Sequence, residues 1–428
     1  MRKGVIFVSE IIIRGTKRLE GKLSVQGSKN SSLPILAACV LVDGVSVLHN
    51  CPYLSDVDAA VKILCELGCT VKRDGHTLTV DSRNISCYNI SENLMREMRS
   101  SIVFLGSLVS RFKKARLFTP GGCEIGLRPI DLHLSALRAL GVTIEDEGSS
   151  LCAEVREKLL GTTISLSFPS VGATENIILS SVFAEGRTTV LNAAREPEIL
   201  DLADFLNKCG CRVSVLPEGT IVIEGVKSAH GAEHTIIPDR IVALTYMSAV
   251  ACCSGDVLFE NVDTSHFLSV TGVFESAGCR LITEKNKVRI ISDGKLKAVR
   301  DIRTMPYPGF PTDAQAPVTA MLCTAKGTSV IVENIFENRF NHVGELVRMG
   351  AKIKVEGRVA IIDSVKSLHG AHVRAVDLRA GSALVVAALR ANGKTVIGGV
   401  HHIDRGYEKI EESLRALGAQ IERSTEGG

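Results

Sequence analysis

A two-domain α/β fold assembled from six copies of one unit is what this 428-residue sequence predicts, and three observations predict it. First, a helical pattern ending in glycine and followed by a strand recurs six times: C-E-L-G-C-T-V (Gly68), R-A-L-G-V-T-I (Gly141), N-K-C-G-C-R-V (Gly210), E-S-A-G-C-R-L (Gly278), V-R-M-G-A-K-I (Gly350) and R-A-L-G-A-Q-I (Gly418). Successive glycines stand 73, 69, 68, 72 and 68 residues apart, a period that marks an internal repeat. Second, the chain is too long for one ordinary hydrophobic core. Third, with no tryptophan and 4% aromatic residues, core volume must come from Val, Ile, Leu, Ala and Cys, which suits helix-on-sheet packing.

Taken in order, each unit opens with an apolar helix, as at 35–42, 177–184, 243–253 and 318–325. A glycine is expected to end it in the left-handed conformation, at Gly44, Gly186, Gly255, Gly327 and Gly393. A short β-rich run follows, for example 188–191 or 329–332, and then an amphipathic helix. In the first copy Val57, Ala60, Val61, Leu64 and Leu67 share one face at helical spacing. A hairpin completes the unit, with Asp74-Gly75 turning between 70–73 and 76–80. One such unit cannot bury both its faces; three close around shared helices, and six make two domains. The least repeat-like joint, 225–239, sets the boundary. The expected domains are 29–237 and, because the first 28 residues carry strands that a sixth unit lacks, 1–28 with 238–428.

Composition excludes several classes. A net charge of +3 with no basic cluster interleaved with aromatics argues against nucleic acid. No stretch approaches the roughly 18 unbroken apolar residues of a membrane span, and the N-terminal apolar run is too short for a signal peptide. The basic residues stand singly, which suits a small anionic ligand. Thirteen cysteines without a secretory pattern imply a reducing cytosol. Cys209-x-Cys211 lacks a second pair and reads as core rather than as a metal site, and His401-His402 has no accompanying carboxylate cluster.

The most unusual stretch is Pro-Gly-Gly-Cys-Glu-Ile-Gly-Leu-Arg-Pro-Ile-Asp-Leu-His at 120–133. It reads either as a simple turn or as a mobile loop presenting the Cys123 thiol beside charge, where a lowered pKa makes an acid or nucleophile. Gln26–Ser32 precedes the first helix. With Lys29 it is either a capped helix start or an anion site built on backbone amides. Arg99, Arg339, Arg379 and Arg405 precede helices at comparable points of their units, as surface residues or as part of a common site. Asp313, in P-G-F-P-T-D-A-Q, is an N-cap or a general base.

Together these residues resemble the enolpyruvyl transferase family. The resemblance covers essentially the whole chain. It rests on G-S-K-N at 27–30, P-G-G-C-x-I-G-x-R-P-x-D-L-H at 120–133, S-V-G-A-T at 170–174, A-R-E-P-E-I at 194–199 and P-D-R-I at 238–241. It continues through F-P-T-D-x-Q-A at 310–316, F-E-N-R-F at 336–340, D-L-R-A at 377–380 and H-I-D-R-G-Y-E at 402–408. It implies a two-domain inside-out α/β barrel of six βαβαββ repeats, three per domain. It also implies transfer of the enolpyruvyl group of phosphoenolpyruvate to the 3-hydroxyl of UDP-N-acetylglucosamine, the first committed step of peptidoglycan synthesis, by a cytoplasmic monomer needing no metal or cofactor. The sister reaction on shikimate 3-phosphate and a weakly active UDP-N-acetylglucosamine-binding paralogue are the alternatives.

Carried over residue by residue, the resemblance makes Cys123 the general acid and the position that fosfomycin alkylates, and Asp313 the base near the sugar hydroxyl. Lys29, Asn30, Arg128, Arg379 and Arg405 would bind phosphoenolpyruvate, with Lys29, Arg405 and Asp377 at the reacting centre. Arg99, Arg128, Pro129, Ile130, Asp131, Leu132, Ser170, Val171, Asp313 and Ile335 would contact the nucleotide sugar. The chain departs from the family pattern at Val242 and Leu244, where Glu and Gly are usual, and at Phe168-Pro169, where some relatives place a lysine.

Overall fold

The computed structural model describes residues 8–118 and 130–426, so Cys123, Arg128 and Pro129 lie outside the described residues. The described chain divides into two compact units. One holds the residues up to 26 together with those from 238 on; the other holds those from 27 to 118 and from 130 to 237.

Both units follow from the repeat. In the unit from 238 on, Arg240–Cys253, Thr312–Leu322 and Leu378–Arg390 pack on one another. Every residue of Arg240–Cys253 is buried, as is every residue from 379 to 389. A helix wrapped on all sides needs no polar face, and each fully buried Leu or Ile contributes roughly 1.5–3 kcal/mol. The few hydroxyls on these helices turn back onto their own carbonyls: Thr245 donates to Ile241 O at 3.0 Å, Ser248 to Leu244 O at 2.8 Å and Thr319 to Gln315 O at 2.9 Å.

Three four-stranded sheets surround these helices, each built the same way. Leu19–Ser24 runs parallel to Gly255–Glu260, which pairs antiparallel with Lys287–Ser292, itself antiparallel to Arg280–Glu284. Ile302–Arg303, Thr328–Val332, Val359–Asp363 and Lys352–Glu356 repeat the order. In the third sheet His372–Arg374 is parallel to Lys394–Gly398, and Val8–Arg14 lies between Lys394–Gly398 and Gln420–Glu426.

The other unit has two sheets of the same design. They are Glu233–Thr235, Val45–His49, Thr77–Asp81 and Thr70–Asp74, and Thr163–Ser165, Arg187–Leu191, Ile221–Glu224 and Arg212–Val215. Lys114–Phe118, Ser150–Val155 and Val142–Asp146 form a three-stranded version. Its central helices include Lys29–Ala38, Phe104–Phe112 and Val171–Ser181.

The six repeat glycines all sit at positive φ, between +89° and +106°, where a side chain would be strained and glycine is not. Other expectations shift. The core helices begin several residues earlier than their apolar runs, because polar first turns such as Lys29-Asn30-Ser31-Ser32 are helical, capped by Ser28. The strands Thr163–Ser165, Glu233–Thr235, Ile302–Arg303 and His372–Arg374 before core helices, two or three residues long, carry too little pattern to be read. The glycines expected to end the core helices stand beyond the helix ends. Gly44, Gly186, Gly327 and Gly393 lie past the C-caps at positive φ, in the approach to the next strand, and Gly255 does not cap its helix. Ser254 holds the positive φ (+67°), and Gly255 opens a strand where a Cβ would lie 2.3 Å from Leu19 O. The first hairpin turns at Gly75-His76, since Asp74 pairs with Thr77.

Candidate active site

In the unit from 238 on, chemistry gathers at the N-terminal ends of two core helices. Pro311 is the N-cap of Thr312–Leu322, so Asp313 lies in the first turn and its side chain is not a cap. Its Oδ2 instead accepts from Arg379 Nη2 at 2.9 Å, and its Oδ1 from Arg339 Nη2. The two guanidinia are about 95% buried, whereas Asp313 retains 28% exposure. Burial weakens the charge on Arg379, but Asp313, Tyr407 and Asp239 together more than offset it and hold the guanidinium firmly protonated. Asp377, one residue before the next core helix, caps it by accepting from Arg379 N and Ala380 N, both at 2.8 Å.

The loop that carries Ile335 and Arg339 is anchored by buried Glu333, which accepts from Thr304 and Thr312 hydroxyls and from the amides of Ile335 and Phe336. His342 follows, buried and driven down to about 4 by that burial, with Asp377 and Arg339 among the charges it feels. Arg339 Nε and His342 Nε2 are buried without a hydrogen-bond partner among the described residues. Arg405 ends the turn Val400–Arg405 and is half-buried.

In the other unit Lys29 begins the first core helix and pairs with buried Asp56 at 3.4 Å. Behind Asn30, Ser31 Oγ donates to Asp201, which also accepts from His234 Nε2 at 2.8 Å and Ile237 N at 3.2 Å. That carboxylate fixes the first turn that presents Lys29 and Asn30. Ser170 caps Val171–Ser181 through a 3.4 Å contact with Ala173 N, and Val171 is half-buried. Ile130, exposed Asp131 and Leu132 enter the helix Asp131–Ala139, whose His133 is buried against the first turn of Val171–Ser181.

Asn176 ties this corner together. Its amide donates to Ile102 O (3.1 Å) and His133 Nδ1 (2.8 Å), and its carbonyl accepts from Gly106 N (2.7 Å). Burial pushes His133 down to about 4, so the ring is neutral and Nδ1 accepts. On the same helix, burial and then Glu198 and Glu196 push the Glu175 carboxyl well above its usual range.

The sequence model of one family, EPSP synthase (3-phosphoshikimate 1-carboxyvinyltransferase), matches residues 13–414. The chain belongs to the enolpyruvyl transferase family. It is 51% identical to UDP-N-acetylglucosamine 1-carboxyvinyltransferase 2 of Caldanaerobacter subterraneus subsp. tengcongensis, over 96% of this chain and 98% of that one. It is 47% identical to UDP-N-acetylglucosamine 1-carboxyvinyltransferase 2 of Carboxydothermus hydrogenoformans, over 97% and 99%. Among solved structures, the enolpyruvyl transferase NikO from Streptomyces tendae matches with a TM-score of 0.89 at 26% identity, over 98% of this chain and 100% of that one. EPSP synthase from Acinetobacter baumannii, at 18% identity and a TM-score of 0.74 over 98% and 100%, shares the fold.

Of the residues expected from the family pattern, the structure brings Asp313, Arg379 and Asp377 into one cluster and Ile130–Leu132 close to Ser170–Val171 through His133. Arg99 opens the turn Arg99–Val103. Arg339, expected among the loop arginines, joins them through Asp313, and Glu333, His133 and Asn176 take part without having been assigned a role from the sequence. A buried polar residue in a helix or a loop carries no periodic signal of what it will touch. Val242 and Leu244, where the family usually carries Glu and Gly, are both 1% exposed within the core helix. Phe168 is 42% exposed.

A pocket of about 660 Å³ lies elsewhere, among Arg14, Lys17, Cys253, Asp293, Lys295 and Arg390. Two core helices end there, and its cations offset their C-terminal carbonyls. It therefore has a structural account and is not the site.

Proposed function

We propose that the chain transfers the enolpyruvyl group of phosphoenolpyruvate to the 3-hydroxyl of UDP-N-acetylglucosamine with release of phosphate, the entry step of peptidoglycan synthesis. The observation that carries this reading is 51% identity, over 98% of its length, to an enzyme of that name. The sister reaction on shikimate 3-phosphate has weaker support, because the EPSP synthases of solved structure share 18% identity. In the same reading the two units are domains, 29–237 and 1–28 with 238–428, each of three βαβαββ repeats, and form an inside-out α/β barrel. The enzyme works as a monomer in the cytoplasm.

The chemistry is addition followed by elimination. Protonation of C3 of phosphoenolpyruvate makes C2 electrophilic; the sugar oxygen attacks C2 as its proton leaves, giving a tetrahedral ketal. Loss of a C3 proton and cleavage of the C2–O bond to phosphate then restore the double bond. Cys123 supplies the first proton. Lys29, Asn30, Arg128 and Arg405 hold the phosphate end, and Arg379 with Arg339 holds the carboxylate. Arg99, Arg128, Pro129, Ile130, Asp131, Leu132, Ser170, Val171 and Ile335 contact the nucleotide sugar. Several cations are needed because each must offset desolvation of a multiply charged ligand.

The Asp313 ion pairs give the sequence of events a physical logic. Both Asp313 oxygens accept from guanidinia. An arriving carboxylate competes for the same donors and frees Asp313 to accept the sugar hydroxyl proton, while Asp377 keeps its helix N-terminus in place.

The test is phosphate release from phosphoenolpyruvate, with UDP-N-acetylglucosamine, with shikimate 3-phosphate and without acceptor. Release that depends on the nucleotide sugar is expected, and its absence would sink the reading. Cys123→Ala is expected to abolish turnover; full activity in that variant would remove the acid role and leave the reaction standing.

A further inference from the structure

Arg379 must be aimed if it is to hold the substrate carboxylate. The guanidinium spans two acceptors. Nη2 donates to Asp313, and Nη1 donates to the phenol oxygen of Tyr407 at 3.1 Å. Tyr407 is 1% exposed, and its oxygen also meets Thr245 Oγ1 at 2.8 Å. Proton bookkeeping fixes the direction of this chain. Arginine can only donate, and threonine has one hydroxyl hydrogen. Thr245 spends that hydrogen on Ile241 O, so Tyr407 must donate to Thr245 and accept from Arg379. The reverse order would leave the buried phenol hydrogen with no acceptor.

Tyr407 is itself held at the backbone. The Gln26 carboxamide bonds the peptide groups on both sides of it, Nε2 to Gly406 O at 3.2 Å and Oε1 from Glu408 N at 2.8 Å. Tyr246 lies edge-on to its ring at 6.5 Å. A side chain tied at its backbone, its ring and its oxygen cannot swing away, and the guanidinium it touches inherits that constraint.

We infer that Tyr407 is a positioning residue for the transfer reaction: its phenol, oriented by Thr245 and braced by Gln26, fixes the angle at which Arg379 presents its fork to the substrate carboxylate. This rests on the assignment of Arg379 to phosphoenolpyruvate. Losing one hydrogen bond to a charged, buried donor is worth roughly tenfold in affinity.

The experiment is steady-state kinetics on the full chain with each substrate varied. Tyr407→Phe is expected to raise KM for phosphoenolpyruvate about tenfold and to leave KM for the nucleotide sugar within about twofold. Thr245→Val, which removes the acceptor of the phenol hydrogen, is expected to shift the same constant in the same direction, and Thr245→Ser to restore it. Constants at the parental level in Tyr407→Phe, whatever its melting temperature, overturn the inference. So does Thr245→Ser behaving like Thr245→Val, and that pair decides the matter should Tyr407→Phe fail to fold. Arg379→Lys run in parallel separates the two levels. If it is inactive while Tyr407→Phe is parental, only the relay falls; if it is fully active, the role of Arg379 falls and the relay with it.

Discussion

The first turns of two core helices, Lys29–Ala38 and Thr312–Leu322, are built alike and charged oppositely. Each carries a proline at its sixth position, Pro34 and Pro317. Each proline removes the amide that would have bonded the carbonyl four residues back, that of Asn30 in one helix and Asp313 in the other. Asp313 suits the positive end of a helix; Lys29 opposes it. Asp313 is held by two buried guanidinia, and Lys29 meets the buried Asp56 carboxylate at 3.4 Å. Matching backbones thus present an ion-paired anion in one unit and an ion-paired cation in the other. In the proposed reaction the cation is the one suited to meet an anionic ligand, and the carboxylate has to be released from its guanidinia.

The largest effect should come from breaking the Asp313 pairs. Asp313→Asn leaves two buried arginines uncompensated, costing about 3 kcal/mol or more of stability, and should abolish transfer. Denaturant unfolding and phosphate release measure the two losses separately. An active, fully stable variant would show that the guanidinia tolerate losing their counter-charge and that the contrast between the helices is superficial.

Acid should act next, through one buried histidine in each unit. His133 and His342 both lie near 4 in the folded protein against an ordinary 6.5. Because the folded values are the lower ones, the unfolded chain takes up these protons first. Stability is therefore fully present above about pH 6.5 and falls as pH drops toward 4. At 1.36 kcal/mol per pH unit the loss is about 2 kcal/mol per histidine by pH 5. Unfolding midpoints at pH 7 and 5 test this, and His342→Asn should remove its share of the slope.

The Lys29–Asp56 pair comes next. Because both side chains are largely buried, Asp56→Asn is expected to cost about 1.5 kcal/mol of stability, while Lys29→Met raises KM for phosphoenolpyruvate; denaturant unfolding and titration of each substrate distinguish them. The smallest effect is steric. A Cβ at Gly172 would lie 3.1 Å from His133 Cε1, so crowding against the buried ring offsets the roughly 1 kcal/mol that alanine gains over glycine in a helix, and Gly172→Ala should leave the denaturation midpoint nearly unchanged.

Much of the architecture was legible before any coordinates. The repeat glycines are visible because a helix ending at positive φ has few chemical solutions, and all six adopt it. The amphipathic helix at Ser55–Glu66 buries Val57, Ala60 and Leu64, as its spacing requires. The apolar pattern starts the first core helix too late because Lys-Asn-Ser-Ser has no apolar period, although the capped start read at 26–32 is present at Ser28, and the short edge strands escape because two or three residues hold no pattern at all.

The sequence by itself determined the six-fold repeat, the apolar runs of the core helices and the membership in the enolpyruvyl transferases, since each is written in local spacing or in a motif. Only the tertiary structure decided what those residues do to one another. Asp313 meets Arg339 across 26 residues and Arg379 across 66, and Tyr407 meets Thr245 across 162. Periodicity fixes which face a side chain occupies. Its partner is chosen by packing, because buried charges and hydroxyls must be satisfied by whatever the fold brings within 3 Å.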